Sequence, residues 1–282
     1  MTASKKIAFQ GELGANSHEA CRDYFPDYEA VPNPTFEDAF EAVRSGACAL
    51  AMIPVENSIA GRVADVHHLL PDSGLKIVGE RFKLIRHQLM ANKGAWLENL
   101  RTVISHPMAL AQCRKVIKRL GLQGQPVYDT AGAARMLSEH PDPSQAAIAP
   151  ALAAEIYGLD ILMKDVEDDR LNTTRFLVMT GEPNPPLPAF TEQCLTAFVF
   201  KVRNVPAALY KALGGFATNG VNMTKLESYM EGGGFTATLF YAEVEGRPED
   251  RGLALAFDEL GFFCERFEVL GVFPADPFRT RV

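Results

Sequence analysis

The chain has 282 residues, enough for two domains, and its hydrophobic content of 47% and charged content of 22% are ordinary for a soluble globular protein. A net charge of -7 lacks the basic excess needed to bind nucleic acid or an anionic membrane, so we expect neither as a partner. No run of 18 apolar residues and no signal peptide is visible, which predicts a cytoplasmic protein without a membrane-spanning helix. The five cysteines are scattered and never at C-x-x-C spacing, which predicts reduced thiols and no metal site.

Before residue 181, short apolar strands alternate with amphipathic helices. The predicted strands lie at Lys6–Gln10, Cys48–Ile53, Thr102–Ser105, Pro126–Asp129, Gln145–Ala149 and Arg175–Met179. The predicted helices open near Asn16 or Ser17, at Val63, near Pro107 (ending at Gly121), at Asp129 or Thr130, and at Pro150. This alternation predicts an α/β fold with a largely parallel sheet, or two such lobes.

Four prolines between Gly181 and Pro188 predict a stiff, extended linker, which we place at residues 183–192 between a domain at 1–182 and another at 193–282. The second domain has a different predicted order: strand Cys194–Val202, helix Pro206–Phe216, strands Asn222–Tyr229 and Phe235–Glu243, helix Glu249–Leu260 and strand Cys264–Val272. The βαββαβ order is typical of a ferredoxin-like sandwich. An α/β domain with such an appendage suggests catalysis combined with regulation.

Polar residues occupy four of the predicted junctions between a strand and a helix: Asn16-Ser17, Glu56-Asn57-Ser58, Ser105-His106 and Asp129-Thr130. Helix N-termini present free N–H groups and a positive dipole end, so a cleft lined by several of them can bind carboxylates. The same residue types are also common helix caps, and spacing alone leaves both interpretations open. His67-His68 falls within a predicted helix, where a surface or interior position is the simpler interpretation.

The segment Asn172–Phe176 opens the last strand before the linker. Arg175 could hold a carboxylate through its planar guanidinium, and the neighbouring threonine hydroxyls could donate a proton. The alternative is a turn leading into a strand, with Arg175 ion-paired to Asp168 or Asp169. Dinucleotide and P-loop glycine patterns are absent from the chain.

Several motifs in order resemble those of the prephenate dehydratase family. Pro54-Val-Glu-Asn-Ser-Ile-Ala-Gly-Arg-Val63 resembles P-[IV]-E-N-S-x-x-G-x-V, and Ser105-His-Pro-Met-Ala-Leu-Ala-Gln-Cys113 resembles S-H-P-x-A-L-x-Q-C. Asp129–Ala134, Tyr157–Leu159 and Asn172–Phe176 follow in the expected order. Beyond the linker, Val205–Leu213 and Gly220–Ser228 resemble the ACT domain attached to these enzymes, so the resemblance covers essentially the whole chain.

The resemblance implies a two-lobed catalytic unit like a type II periplasmic binding protein, followed by an ACT domain. The implied reaction is the decarboxylating dehydration of prephenate to phenylpyruvate, with no cofactor. Carried onto this sequence, Thr174 is the catalytic hydroxyl and Arg175 holds a substrate carboxylate. The other implied catalytic residues are Glu56, Asn57, Ser105 and Gln112. The other implied substrate contacts are Ser17, Ser58, Thr130 and Phe176.

The resemblance also implies feedback inhibition by L-phenylalanine, bound between ACT domains of a homodimer or homotetramer. The implied effector residues are Ala207, Ala208, Leu209, Asn222, Met223, Leu226, Glu227 and Ser228. Two motifs there depart from the family pattern, because Ala207 replaces a usual Gly and Tyr229-Met230 replaces a usual Arg-Pro. In the first loop, Glu12 and Ala15 replace the usual Pro and Thr.

Two other functions stay open from the sequence. Arogenate dehydratase performs the same reaction on the aminated substrate, and one sequence does not reveal what faces the amino or keto group. A non-catalytic two-lobed sensor of small molecules is the other alternative, although a pure binder has no need of an intact Asn172–Phe176 segment.

Overall fold

The computed structural model describes residues 5–186, 193–230 and 237–280. Its strands are β1 Lys6–Gln10, β2 Glu29–Asn33, β3 Leu50–Asn57, β4 Gly61–Arg62, β5 Lys76–Leu84, β6 Gln88–Ala91, β7 Thr102–Ser105, β8 Gln123–Pro126, β9 Gln145–Ala149, β10 Asp160–Met163, β11 Thr173–Thr180, β12 Cys194–Val202, β13 Met223–Met230, β14 Ala237–Glu245 and β15 Cys264–Pro274. Its helices are α1 Asn16–Tyr24, α2 Phe36–Arg44, α3 Ala64–Leu69, α4 Pro107–Gln112, α5 Arg114–Arg119, α6 Thr130–Glu139, α7 Ala151–Tyr157, α8 Ala208–Thr218 and α9 Arg251–Phe263.

Two sheets account for the first part of the chain, as the predicted two-lobed α/β fold requires. The first sheet has the order β2-β1-β3-β11-β5, with β4 paired to β3, and the second has the order β10-β6-β9-β7-β8. The chain leaves the first sheet after β5, builds the second and returns with β11. The α/β fold class predicted from the sequence is therefore confirmed.

The prediction of largely parallel pairing holds only in part. β1 pairs in parallel with β2 and β3, and β7 pairs in parallel with β8 and β9. β6 is antiparallel to both β9 and β10. β6 follows β5 after only three residues and is the first strand of the second sheet along the chain.

Three predicted element boundaries were wrong. The strand β3 continues through Pro54 to Asn57 instead of turning at Pro54, because the pairing of Glu56 with Arg62 in β4 extends it. The helix predicted from Pro107 to Gly121 is broken at Cys113 into α4 and α5. The strand expected at Pro126–Asp129 lies earlier, at Gln123–Pro126, where it pairs with β7.

The cores follow the apolar patterns of the strands. Buried Ile7, Phe9, Ala51 and Ile53 belong to the first sheet, and two separate apolar clusters cover the two faces of the second. Alternate residues of a strand point to opposite faces, so a sheet covered by helices on both sides needs apolar residues throughout. Across the described residues, no helix is long and apolar enough to cross a membrane.

The C-terminal segment has the predicted βαββαβ order, with sheet order β13-β14-β12-β15 and antiparallel pairing throughout. Its helices α8 and α9 bury Phe198, Phe200, Phe216 and Leu260 against one face. The bounds agree with the sequence prediction within a few residues, except that Phe235 and Thr236 of the predicted strand Phe235–Glu243 fall outside the described residues. The ferredoxin-like order is therefore confirmed.

The chain divides into two compact units, Met1–Val66 with Arg81–Phe176, and His67–Glu80 with Leu177–Val282. The second unit therefore includes residues that the sequence assigned to the first domain. Of the predicted linker, residues 183–186 lie in neither helix nor strand, and residues 187–192 are outside the described part. The domain bounds 1–182, 183–192 and 193–282 stay a prediction.

A buried ion cluster within the second unit explains part of this division. Arg279 donates to both oxygens of Glu80 at 2.6 and 2.9 Å and contacts Glu243 at 3.3 Å. Both carboxylate side chains are fully buried. A Cβ at Gly271 would overlap the carbonyl of Ile77, so β15 approaches β5 closely enough to require glycine. No local sequence pattern indicates this cluster, because its three residues lie far apart in the chain.

Candidate active site

The ends of β3 and β11 bring three polar side chains together. The Asn57 amide nitrogen donates to Thr174 Oγ1 at 2.9 Å, to Asn172 Oδ1 at 2.7 Å and to the Thr173 carbonyl at 3.3 Å. Asn172 is fully buried and Thr174 is 9% exposed. The structure therefore places the predicted Asn57 and Thr174 in direct contact.

The turn after β3 is held to the same strand. Ser58 donates its N–H to the Thr173 carbonyl at 2.8 Å, and Thr173 N–H donates to Ser58 Oγ at 3.0 Å. The other end of the Asn57 amide accepts from the N–H groups of Ile59 and Ala60. Glu56 and Asn57 end β3 and Ser58 lies in the following turn, so these residues are not at a helix N-terminus. The helix itself, α3, begins at Ala64, within one residue of the predicted start at Val63.

Arg175 lies beside this cluster and pairs with a different acid from those predicted. Its Nη1 is 3.4 Å from Glu56 Oε2, and its guanidinium lies over the ring of Phe82 at 6.0 Å. The alternative in which Arg175 pairs with Asp168 or Asp169 is wrong, because Asp168 Oδ1 accepts from Lys115 N–H and Asp169 Oδ1 accepts from Leu171 N–H. The Arg175 side chain is only 5% exposed. Its role in holding a substrate carboxylate stays a prediction.

Two predicted site residues lie in the interior. Phe176 is 1% exposed and belongs to the core. Ser105 is fully buried in β7, and its hydroxyl donates to the Ile148 carbonyl of β9 at 2.6 Å. His106 follows it as the N-cap of α4, with Nδ1 accepting from Met108 N–H at 3.2 Å, so the capping interpretation is confirmed there.

Gln112, the last residue of α4, is held by a histidine that sequence analysis overlooked. His87 Nε2 is 3.0 Å from Gln112 Oε1. His87 is 2% exposed, and burial lowers the pKa of its imidazole, against the hydrogen bond with Gln112. His87 lies between β5 and β6 with no motif around it, so only the tertiary contact reveals it.

The acidic run after β10, residues 165–169, is hydrogen-bonded to both His87 and Gln112. Val166 N–H donates to the His87 carbonyl at 2.8 Å, and His87 N–H donates to the Glu167 carboxylate at 2.9 Å. Asp168 N–H donates to the Gln112 carbonyl at 2.6 Å. The Glu167 side chain is fully buried and pairs with Arg86 at 2.6 Å. This run, noted from the sequence only as a possible partner for Arg175, fixes the backbones of His87 and Gln112.

The first loop ends in helix α1 without a side-chain cap. Ala15 is the N-cap, and its side chain offers no acceptor to the N–H groups of the first turn. Neither Asn16 nor Ser17 caps the helix; both lie inside it, with Ser17 8% exposed. Gly14 N–H instead donates to His18 Nδ1 at 2.9 Å. Burial lowers the pKa of His18, with Arg22 nearby acting in the same direction.

Thr130 and Asp129 lie at the start of α6. Asp129 Oδ1 accepts from Gly132 N–H, so the predicted cap is Asp129 and Thr130 is the first helical residue. Burial raises the pKa of the Asp129 carboxyl. A cavity of about 480 Å³ adjoins these residues, lined by Gln10, Gly11, Glu12, Pro32, Asn33, Pro34, Thr35, Tyr128 and Asp129.

The predicted effector residues lie around α8 and along β13 of the second unit. Ala207 is the N-cap of α8 and has φ 60° and ψ 19°, in the left-handed region; Ala208 and Leu209 open the helix. Asn222 precedes β13, and Met223, Leu226, Glu227 and Ser228 lie on it. The side chains of Leu226 and Ser228 are on the exposed face of this edge strand, while Glu227 pairs with Lys225 at 3.2 Å.

The described residues contain no group of three or more His, Cys, Asp or Glu side chains placed to hold a metal ion. All their cysteines are free thiols. Burial raises the pKa of Cys21 to about 12 and that of Cys264 to about 11. Neither thiol is therefore a thiolate at neutral pH.

Comparison with known proteins decides the family. The prephenate dehydratase family matches residues 7–184 of the chain. The chain belongs to the prephenate dehydratase family. It is 50% identical over its full length to a bifunctional N-acyl-homoserine lactone acylase/prephenate dehydratase of Komagataeibacter europaeus, which it also covers fully. It is 40% identical, over 96% of its own length and 73% of the relative's, to arogenate dehydratase/prephenate dehydratase 2 of Arabidopsis thaliana.

A solved structure gives the same family likeness in three dimensions. The prephenate dehydratase of Arthrobacter aurescens, solved in complex with L-Phe, has a TM-score of 0.87 and 29% identity, over 96% of this chain and 90% of that one. Because the match extends well beyond residue 184, the prephenate dehydratase fold here includes the βαββαβ segment.

Proposed function

We propose that this member of the prephenate dehydratase family converts prephenate to phenylpyruvate, with Thr174 assisting departure of the ring hydroxyl. One observation carries the proposal. Thr174 Oγ1 accepts a hydrogen bond from the Asn57 amide, and among the described residues no acceptor takes the Thr174 proton. The hydroxyl is thus held as an acceptor from one side and is left to donate on the other.

The reaction balances without an oxidant or reductant. The ring carboxylate leaves as carbon dioxide, its bonding electrons complete the aromatic ring, and the ring hydroxyl departs as hydroxide. Aromatisation supplies the driving force, so the protein has to hold a dianion in reactive geometry and stabilise the departing oxygen. A threonine hydroxyl is too weak an acid to protonate this oxygen alone, so it acts as a hydrogen-bond donor or relays a proton.

The positive charge of Arg175, next to Thr174 in the sequence, and the N–H groups at the start of α1 are groups of the kind that bind a dianionic substrate. Arg175 carries a buried positive charge that Glu56 partly compensates, and a substrate carboxylate would have to share its guanidinium with that acid. The uncapped first turn of α1, which holds Ser17, offers free N–H groups of the kind that bind anions. Thr130, Ser58 and Gln112 complete the proposed set of substrate contacts. Ser105, whose hydroxyl donates to the Ile148 carbonyl, is proposed only as a support within the sheet.

A kinetic comparison of prephenate and arogenate tests the proposal. We expect the purified chain to form phenylpyruvate from prephenate with the higher kcat/KM. A higher kcat/KM for arogenate would identify arogenate as the preferred substrate and leave the proposed reaction chemistry unchanged. Binding of prephenate without turnover would contradict the enzymatic function and favour the non-catalytic sensor.

We further propose that the βαββαβ segment is an ACT domain that binds L-phenylalanine and inhibits the enzyme. The likeness to a prephenate dehydratase solved with L-Phe supports this, together with the observed strand order. The effector would lie between the start of α8 and β13 in a dimer or dimer of dimers. Calorimetry with L-phenylalanine, activity assays and the mass in solution test it together. If millimolar L-phenylalanine produces neither a heat of binding nor inhibition, the proposed regulatory role is wrong and the proposed catalytic role still stands.

The 50% identical relative makes an acylase activity on N-acyl-homoserine lactones a second candidate. A thiol nucleophile is disfavoured at Cys21 and Cys264 by their raised pKa values, and Cys113 is fully buried. Assaying the wild type and Thr174→Ala on an N-acyl-homoserine lactone would separate the activities. Acylase turnover that survives in Thr174→Ala would place it outside the dehydratase site.

A further inference from the structure

We propose that His87 is a positioning residue for the dehydratase reaction: it fixes the Gln112 carboxamide so that its NH2 group faces the substrate. This inference rests on the proposed function, in which Gln112 contacts prephenate. The pair is buried on the His87 side, where the imidazole is 2% exposed, and half-buried on the Gln112 side.

The hydrogen bond between the two side chains has one consistent assignment. Gln112 Oε1 is the atom that faces His87 Nε2, at 3.0 Å, so the imidazole must donate from Nε2. Burial favours the neutral ring, and a neutral ring with a proton on Nε2 has none on Nδ1. His87 Nδ1 is buried and has no hydrogen-bond partner among the described residues. An imidazolium would leave an N–H donor unsatisfied at this buried position.

The same bond decides which end of the carboxamide is available to a ligand. With Oε1 engaged by His87, the Gln112 NH2 group is directed away from the imidazole, and no described residue accepts from it. An NH2 donor suits a carboxylate or a departing hydroxyl oxygen, both of which prephenate carries. A flipped amide would present an acceptor to a dianion, which electrostatics disfavours.

The backbones on both sides are fixed, so the pair is preorganised. Val166 N–H and the Glu167 carboxylate hold the two backbone groups of His87, and Asp168 N–H holds the Gln112 carbonyl. His87 also lies two residues after Ile85, whose N–H donates at 2.8 Å to the carbonyl of Asn172. The segment that supplies His87 is therefore bonded to the segment that supplies Thr174.

Kinetics of conservative variants test this role. Gln reproduces a donor at the Nε2 position and Asn does not, so His87→Gln should keep kcat/KM within about 3-fold and His87→Asn and His87→Leu should lose about 10-fold to 100-fold. In a Gln112→Met background, His87→Leu should cost nothing further. His140→Gln, at an exposed position, is the control.

NMR of the imidazole nitrogens of 15N-histidine-labelled protein tests the tautomer without any substrate, with His87→Gln used for assignment. We expect a neutral His87 with its proton on Nε2. A proton on Nδ1, a doubly protonated ring at pH 7, or equal losses from His87→Leu with and without Gln112 would overturn the inference. If the wild-type protein shows the expected tautomer but does not turn over prephenate, the proposed function is wrong, whereas the hydrogen bond between His87 and Gln112 is confirmed.

Discussion

Asn57 donates to the hydroxyl of Thr174 across 117 residues of sequence, in a contact of 2.9 Å between the ends of β3 and β11. Because the amide nitrogen is the donor in that bond, the Thr174 hydroxyl keeps its own proton for another acceptor. An acceptor in place of Asn57 would take the Thr174 proton and turn the hydroxyl away from a leaving group. The same amide also contacts Asn172, so one side chain organises the polar cluster.

Replacing Thr174 tests the chemical role of its hydroxyl. Thr174→Ala should lower kcat by about 100-fold or more, whereas Thr174→Ser, which retains the hydroxyl, should keep appreciable activity. Thr174→Val has nearly the same volume and should resemble Ala. Thermal unfolding controls for stability, and near-normal turnover in the Ala variant would remove Thr174 from the mechanism.

Replacing Arg175 distinguishes substrate binding from a purely internal ion pair. Arg175→Lys keeps the charge and loses the planar fork, so it should chiefly raise KM for prephenate, by about 10-fold. Arg22→Lys, on a half-exposed side chain paired with Glu155, is the control. An unchanged KM accompanied by lower stability would leave Arg175 as the partner of Glu56 alone.

Ala207 should be a strained position. Its φ of 60° lies in the left-handed region, which costs a residue with a Cβ about 1–2 kcal/mol. Ala207→Gly should therefore raise the free energy of unfolding by about 1 kcal/mol, measured by urea denaturation. Ala217→Gly, inside the same helix, should lower it by about 1 kcal/mol. A loss of stability in Ala207→Gly would contradict the strain.

The missing cap of α1 predicts a second stabilising change. Ala15 is extended at φ -66° and ψ 163°, the conformation of an N-cap, but it offers no acceptor. Ala15→Thr should stabilise the protein by about 1 kcal/mol by accepting from a first-turn N–H group. Ala15→Val has the same shape without the hydroxyl and should give no such gain. Equal unfolding midpoints for the two variants would exclude capping as the cause.

Stability should fall as pH drops below the ordinary imidazole pKa of 6.5. The folded-state pKa values of His18 and His87 lie below that value, chiefly because both rings are buried. The unfolded chain then binds more protons at acidic pH, so their contribution is present above pH 6.5 and is lost as pH falls towards the folded pKa values. His87→Gln should lose less stability than the wild type between about pH 7.5 and pH 5.5.

His140→Gln, at an exposed position, is the control and should keep the wild-type dependence on pH. Urea denaturation at each pH measures the difference. Identical pH dependence in His87→Gln and the wild type would show that His87 does not titrate differently on folding.

The sequence by itself predicted the alternation of strands and helices, the βαββαβ order after the linker and the motif residues Asn57 and Thr174. The alternation and the βαββαβ order follow from local causes, because apolar periodicity, capping residues and proline-rich breaks act over a few neighbouring residues. Asn57 and Thr174 were instead predicted from the resemblance to the motifs of the family. Asp129 caps α6 as predicted because the cap forms within four residues. The motif order alone also gave the family.

Only the tertiary structure decided which of the polar residues meet. Arg175 pairs with Glu56 rather than Asp168, because β3 and β11 are neighbours in one sheet although 119 residues separate the two side chains. His87 lies in no recognisable motif, and only its contact with Gln112 in the folded structure indicates a role for it. The strain at Ala207 likewise depends on a φ angle that composition does not specify. Local patterns leave several pairings of these residues equally open. The free energy of each pairing depends on residues that are distant in the chain, so only the folded structure decides which pairing forms.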